Sequence, residues 1–304
     1  MVSNNPNDYW RFLKGLAQKQ SNDDIGLEDF YKYFCESATP PNTGYFDLQF
    51  INDLKNLNLN DTDNAEDYEK IQIIQGILNE PITADELRRH LKKLKNNKSS
   101  GIDDISAEFL KCAETILTQP LLCLYNYMLQ CGNCPTQWSQ GIVCPLHRKG
   151  DKSDPSNYRK VTVLVTLGQL YEAILHGRFQ LKNDMFEDDD VFQSGFCKNR
   201  RTIDNVFILS TIIEKQKCIG KPLFVCFVDF TKAFDFVNRD ALLYKLKQKG
   251  VCGNFLNVLK NMFEKAINKV KWQGLLSNSF QCPYGVLQDR KSTRLNSSHA
   301  NISY

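Results

Sequence analysis

The apolar run from Leu223 to Val228 ends abruptly in a carboxylate, Asp229. The run follows Gly220 and Pro222 and mixes Leu, Phe, Val and Cys, a composition that predicts a buried strand. A buried strand ending in Asp holds an oxygen ligand rigidly. Hard cations such as Mg²⁺ take oxygen ligands, from one or two carboxylates plus substrate phosphates. A second carboxylate, Asp235, follows, with Lys232 and Phe234 in between. The plainer reading of a strand-end Asp is a cap for the next helix, and the run alone leaves both readings open.

The length of 304 residues allows one large domain or two ordinary ones, and 42% hydrophobic residues suffice for a core. No stretch approaches the roughly 18 consecutive apolar residues of a membrane span, and the first residues lack a secretory pattern. Eleven cysteines without regular spacing point to a reducing compartment, cytoplasm or nucleus, rather than a disulfide scaffold. Charge is uneven: residues 1–80 carry 6 basic against 14 acidic side chains, and residues 81–288 carry 29 against 20. A basic second part with aromatics suits nucleic acid, and it equally suits an ordinary solvated face.

Helical spacing of apolar residues predicts helices over 8–35, 66–79, 107–131, 168–183, 202–217, 239–249 and 252–265. Thr83 with Glu86 has the capping-box pattern, so another helix runs from there to about Leu94. Residues 36–65 read as loop or linker. Ile142–Leu146 and the β-branched run VTVLVTL predict the two arms of a hairpin around the charged loop HRKGDKSDPSNYRK. Lys269–Trp272 and Ser279–Cys282 predict short strands.

The order of these pieces says more than any one of them. NKSSGIDDISAEFLK is followed by IVCPLHRKGDKSDPSNYRKVTVL, then FQSGFCKNRRTIDNVFIL, FVDFTKAFDFVNRDALLYKL and YGVLQ. The series over about residues 81–288 resembles the reverse transcriptase of non-LTR, LINE-type, jockey-like retrotransposons. Residues 1–80 resemble more weakly the segment that joins endonuclease and polymerase in such proteins. The resemblance implies an α/β (α+β) fold, a fragment of a right-hand polymerase. Residues 81–220 would be fingers and 221–288 a partial palm, behind a helical acidic extension over 1–80.

It also implies roles, position by position. Asp229 matches the first catalytic aspartate and, with the backbone carbonyl of Phe230, would hold Mg²⁺, with Mn²⁺ as the alternative. Phe234 matches the steric-gate aromatic that selects dNTP over NTP; an ordinary core aromatic is the competing reading. Lys149, with Arg148 as its alternative, and Arg159 match the residues that grip the triphosphate, a mobile point charge and a fixed fork. Gln288 matches a glutamine beside the nucleotide. Gly101 matches a glycine whose loop would approach the template backbone, while Gln193, Phe196 and Thr202 would line the template path. A plain loop before an N-capped helix explains the last group nearly as well. Asp235 is expected to orient the loop after the strand. The partners implied are an RNA template, a DNA primer and dNTP, with no membrane and no stated oligomeric form.

The sequence also departs from the family. The 304 residues contain no aromatic-Ala-Asp-Asp string, the family's second catalytic element. Lys160 stands where the family has Pro or Gly, Cys197 where it often has Arg, and Asn199 where it has Gly. Residues 289–304, DRKSTRLNSSHANISY, resemble the in-frame translation of a sequencing adapter and are read as an artefactual tail. The expectation is therefore a polymerase fragment without activity, the alternative being a non-catalytic nucleic-acid-binding remnant of a mobile element. Cys131-x-x-Cys134 with Cys144-x-x-His147 has permissive zinc spacing but falls across a predicted strand, and zinc is the lesser reading. A phosphohydrolase using Asp229 as nucleophile fits poorly, because Thr231 stands where a leaving-group acid is wanted.

Overall fold

The apolar residues around Ile142 form an inner strand of the only sheet among the described residues. The computed structural model describes residues 25–39, 68–186, 193–195, 199–230 and 232–286. Strands β1 (Gln140–His147) and β2 (Tyr158–Leu164) make the expected antiparallel hairpin, in register from Gly141 opposite Leu164 to His147 opposite Tyr158. β3 (Ile267–Trp272) lies parallel to β1 on its other side, and β4 (Leu275–Gln281) returns antiparallel to β3. The order is β2-β1-β3-β4. Gln273 and Gly274 connect β3 to β4 with φ of 49° and 85°, the left-handed pair that a two-residue hairpin turn needs.

Nine helices are described: α1 (Leu27–Ser37), α2 (Tyr68–Asn79), α3 (Ala84–Lys92), α4 (Ala107–Cys112), α5 (Glu114–Cys131), α6 (Thr166–Phe186), α7 (Thr202–Ile219), α8 (Arg239–Gln248) and α9 (Asn254–Glu264). Their starts follow local chemistry. The hydroxyls of Thr83 and Ser106 accept from the backbone N–H of Glu86 and Phe109 at 3.2 and 3.3 Å, and the Asn238 carbonyl accepts from Ala241 N–H at 3.0 Å. The stretch 107–131, expected as one helix, is two, broken at Ala113.

Two apolar clusters hold these elements. The larger joins α2, α3, α5, α6, α8 and α9 around Leu78, Tyr125, Tyr171, Phe179 and Phe255. The smaller lies on one sheet face, where Phe30 and Phe34 of α1 pack against Val143, Tyr158, Val270 and Phe280. Helices α3 and α6 are also locked together by Arg178, which is 5% exposed. Its guanidinium forks onto the Glu86 carboxylate at 2.8 Å twice and donates to the carbonyls of Leu78, Glu80 and Pro81. All five donors are used, which is what a buried guanidinium requires. Glu86 thus spends its carboxylate on Arg178, although its spacing from Thr83 matched a capping box.

One expectation is corrected. The run Leu223–Val228 is neither buried nor a strand; it is irregular, unpaired and exposed, with Phe224 at 91% and Phe227 at 82% exposure. A strand needs a backbone partner as well as apolar side chains, and this run pairs with none of the four strands of the sheet. Gly101 is buried, and a Cβ there would lie 2.5 Å from the Val165 backbone nitrogen. The close approach that this glycine permits is to the chain's own backbone. The predicted helix before residue 25, most of the 36–65 linker, Phe196, Cys197, Gln288 and residues 289–304 lie outside the described residues.

Candidate functional site

The loop between β1 and β2 is built from its own short polar side chains. The Asp151 carboxylate accepts from Ser153 N–H at 3.0 Å, and Asp154 accepts from the backbone and hydroxyl of Ser156 at 2.8 and 2.7 Å. These bonds hold both carboxyls below the usual aspartate range, the Ser153 backbone N–H acting first on Asp151 and the Ser156 hydroxyl on Asp154. Asn157 donates to Asp151 O at 2.9 Å, and the Tyr158 hydroxyl donates to Lys152 O at 3.0 Å. Lys149 and its alternative Arg148 sit exposed on this pre-formed loop, and Arg159 lies half-buried on β2.

Three segments far apart in sequence meet beside that hairpin. Lys160 of β2 forms an ion pair with Asp235 at 2.9 Å. The segment after Asp235 in turn bonds the YGV segment: Val286 N–H donates to Phe234 O and Gly285 N–H to Val237 O, both at 2.8 Å. Gly285 is required there, since a Cβ would lie 2.5 Å from Asp235 O. Arg239 fastens the junction, donating to Gly285 O at 2.8 Å, Phe263 O at 2.7 Å and Tyr284 O at 3.3 Å. Ala38, Lys160, Asp235, Arg239, Cys282 and Gly285 line a cavity here of about 40 Å³, which admits water-sized molecules.

The predicted site residues fall into two sets. Lys149, Arg159, Phe234 and Asp235 belong to this junction or its hairpin. Phe234 is half-buried and packs against the larger cluster, as its competing reading expected. Asp229 is exposed and makes no hydrogen bond or ion pair with the described residues, and Phe230 is exposed beside it. Gln193 closes a local turn, its amide donating to Gly195 O at 3.0 Å and its carbonyl accepting from Arg200 at 2.8 Å. Thr202 is exposed at the start of α7, whose first turn is capped by Asp204 accepting from Arg201 N–H at 2.8 Å. Sequence reasoning noted Lys160 only as a departure and missed Arg239; neither residue carries a local signal of its distant partner.

One carboxylate and a neighbouring carbonyl do not make a metal pair. Among the described residues no three His, Cys, Asp or Glu side chains gather where they could hold a metal ion. That statement covers the four residues with zinc-like spacing as well. No described helix is long and apolar enough to cross a membrane.

No family model matches the chain. It is 28% identical over 212 residues to the probable RNA-directed DNA polymerase from transposon BS of Drosophila melanogaster, covering 67% of this chain and 22% of that protein. It is 28% identical over 197 residues to the transposon TX1 uncharacterized 149 kDa protein of Xenopus laevis, covering 64% and 15%. To the RNA-directed DNA polymerase from mobile element jockey of D. melanogaster it is 26% identical over 213 residues, covering 68% and 23%. The chain thus spans less than a quarter of the length of these relatives. Over about two thirds of its own length it is similar to the RNA-directed DNA polymerases of transposons and mobile elements.

Proposed function

We propose that this chain carries the nucleotide-gripping part of a retrotransposon reverse transcriptase. In this reading its 304 residues alone bind a primed RNA–DNA hybrid and dNTP but do not join nucleotides. The observation that supports it is the convergence of three motif segments: Lys160 from the hairpin, Asp235 from the segment after Asp229, and Gly285–Val286 from YGVLQ. That junction joins the hairpin that carries Lys149 and Arg159 to the nucleotide-side segment.

Each residue then has a task that needs only its own chemistry. Lys149 supplies a mobile positive charge to the triphosphate, and Arg159 a fixed bidentate fork. Phe234, seated against the core, would lie under the sugar and crowd a 2′-hydroxyl. Gln288 would flank the nucleotide, and Gln193, Phe196 and Thr202 the template. The divalent ion of the family, Mg²⁺ or Mn²⁺, would supply charge stabilisation for phosphoryl transfer. Asp229 and the Phe230 carbonyl are an incomplete ligand set for it, so no step is assigned to it here. Cytoplasm and nucleus are the proposed places of action.

The test is fluorescence anisotropy of a labelled RNA template annealed to a DNA primer, with and without dNTP. The expected result is salt-sensitive binding that dNTP tightens. The double variant Lys149→Ala, Arg159→Ala should lose about tenfold of the dNTP effect, roughly 1.4 kcal/mol. Equal dNTP response in that variant would overturn the assignment of the grip. Magnesium-dependent primer extension by the 304-residue chain would overturn the claim that it does not join nucleotides.

A further inference from the structure

The interface between α1 and the sheet holds two thiols, Cys35 and Cys282, that the polymerase reading does not use. Contacts to β2 fix how α1 lies on the sheet. Phe30 meets the Tyr158 ring at 4.8 Å between centroids, and the Lys160 ammonium lies 5.9 Å from the Phe34 ring. Four residues along α1 therefore match two along β2. Four helical residues rise about 6 Å and two strand residues about 6.7 Å, so the two elements run in the same direction. β4 also runs in that direction, because β2 is antiparallel to β1, β1 parallel to β3, and β3 antiparallel to β4.

The same step applies over β4. Tyr31 packs on Phe280 with ring centroids 6.0 Å apart. One turn past Tyr31 is Cys35, and two residues past Phe280 is Cys282, so the two cysteines occupy the next facing positions of helix and strand. Both pack against the same apolar cluster, and Ala38, the next residue of that helix face, lines the cavity with Cys282. Both are free thiols.

We propose that Cys282 is a peroxide-oxidation site and that Cys35 resolves it into a disulfide that staples α1 to the end of β4. Polar and cationic groups surround the Cys282 sulfur. Its sulfur accepts from Asn268 Nδ2 at 3.0 Å, and Lys160 and Arg239 share its cavity. Burial raises its pKa, and Asn268, Lys160 and Arg239 act against that. Burial raises the pKa of Cys35, the hydrogen bond with Tyr31 acts against that, and Glu28 and Glu36 add to the rise. The cavity of about 40 Å³ admits an oxidant the size of water or hydrogen peroxide and excludes a glutathione dimer.

The chemistry balances with peroxide alone. The Cys282 thiolate attacks one peroxide oxygen, the O–O bond breaks, hydroxide leaves, and the sulfur becomes a sulfenic acid. The Cys35 sulfur then attacks that sulfur, the S–S bond forms and water leaves. Two thiols and one peroxide give one disulfide and two waters. Because only the thiolate attacks, the first step quickens as pH rises towards the raised pKa of Cys282.

The test is peptide mapping of the full chain after hydrogen peroxide treatment and alkylation, without reduction. The expected product is one cross-linked peptide joining Cys35 to Cys282. In Cys35→Ser that cross-link is lost and the sulfenic acid of Cys282 is captured by dimedone. Two free, alkylated thiols at 35 and 282, while exposed Cys112, Cys123 or Cys218 oxidises, would overturn the proposal, as would a cross-link from Cys282 to any other cysteine. The map of the unsubstituted chain decides the matter even if the variant folds poorly. The outcome is independent of nucleotide binding.

Discussion

Helix α1 and the run 223–230 are both rich in phenylalanine, and they end in opposite surroundings. Phe30 and Phe34 of α1 are 0% and 1% exposed, wedged between Tyr158, Trp272 and Phe280. Phe224 and Phe227 are 91% and 82% exposed, and every described residue from Lys221 to Phe230 is exposed. The difference is not composition but partners. A helix satisfies its own backbone and needs only a matching apolar face. A strand must also find backbone donors and acceptors on a neighbour. Burying each such ring would contribute about 2 kcal/mol, so the exposed run is a standing demand for a partner, and Asp229 rides on it.

That comparison can be broken by mutation. Phe30→Ala should cost about 3–5 kcal/mol in denaturant unfolding, because it empties a fully packed site; a cost below about 1 kcal/mol would mean that α1 is merely laid on the sheet. Gly101→Ala should cost about 1–3 kcal/mol by pushing a methyl into the Leu164–Val165 backbone, and thermal unfolding would read it. Alkaline titration probes the interior of the larger cluster. The Tyr125 phenol donates to Leu167 O at 2.9 Å, and burial drives its pKa far above the ordinary value of 10.0. The raised value means stability is full below pH 10 and falls above it, as the unfolded chain ionises and the folded one does not. The loss should be about 1.4 kcal/mol per pH unit from this group, and Tyr125→Phe should lessen that slope. Smallest of all, Phe224→Ser with Phe227→Ser should change stability by less than about 0.5 kcal/mol while reducing aggregation, which light scattering would show.

Much of this architecture was legible before any coordinates. Thr83 marks a helix start because the cap is a local bond, written within a few residues; the same bond at Ser106 and Asn238 lies just before the predicted starts at 107 and 239. The β1–β2 hairpin was legible for the same reason, from two apolar arms around a loop rich in Asp, Pro and Asn. What could not be read were pairings across long separations. Glu86 and Arg178 are 92 positions apart, and nothing near either names the other. Lys160 looked like a lapse from the family pattern and instead forms the ion pair that holds Asp235. The run ending at Asp229 failed as a predicted strand because its apolar pattern specifies a face and not a partner. Asp229 itself was legible only through the resemblance.

Hydrogen–deuterium exchange tests this contrast most directly. The amides of β1, flanked by β2 and β3, should be protected for minutes to hours, while those of residues 223–229 should exchange within seconds. Protection of 223–229 as strong as that of β1 would show that the Asp229 segment is already paired, and would contradict the reading of these 304 residues as a nucleotide grip without a finished catalytic strand.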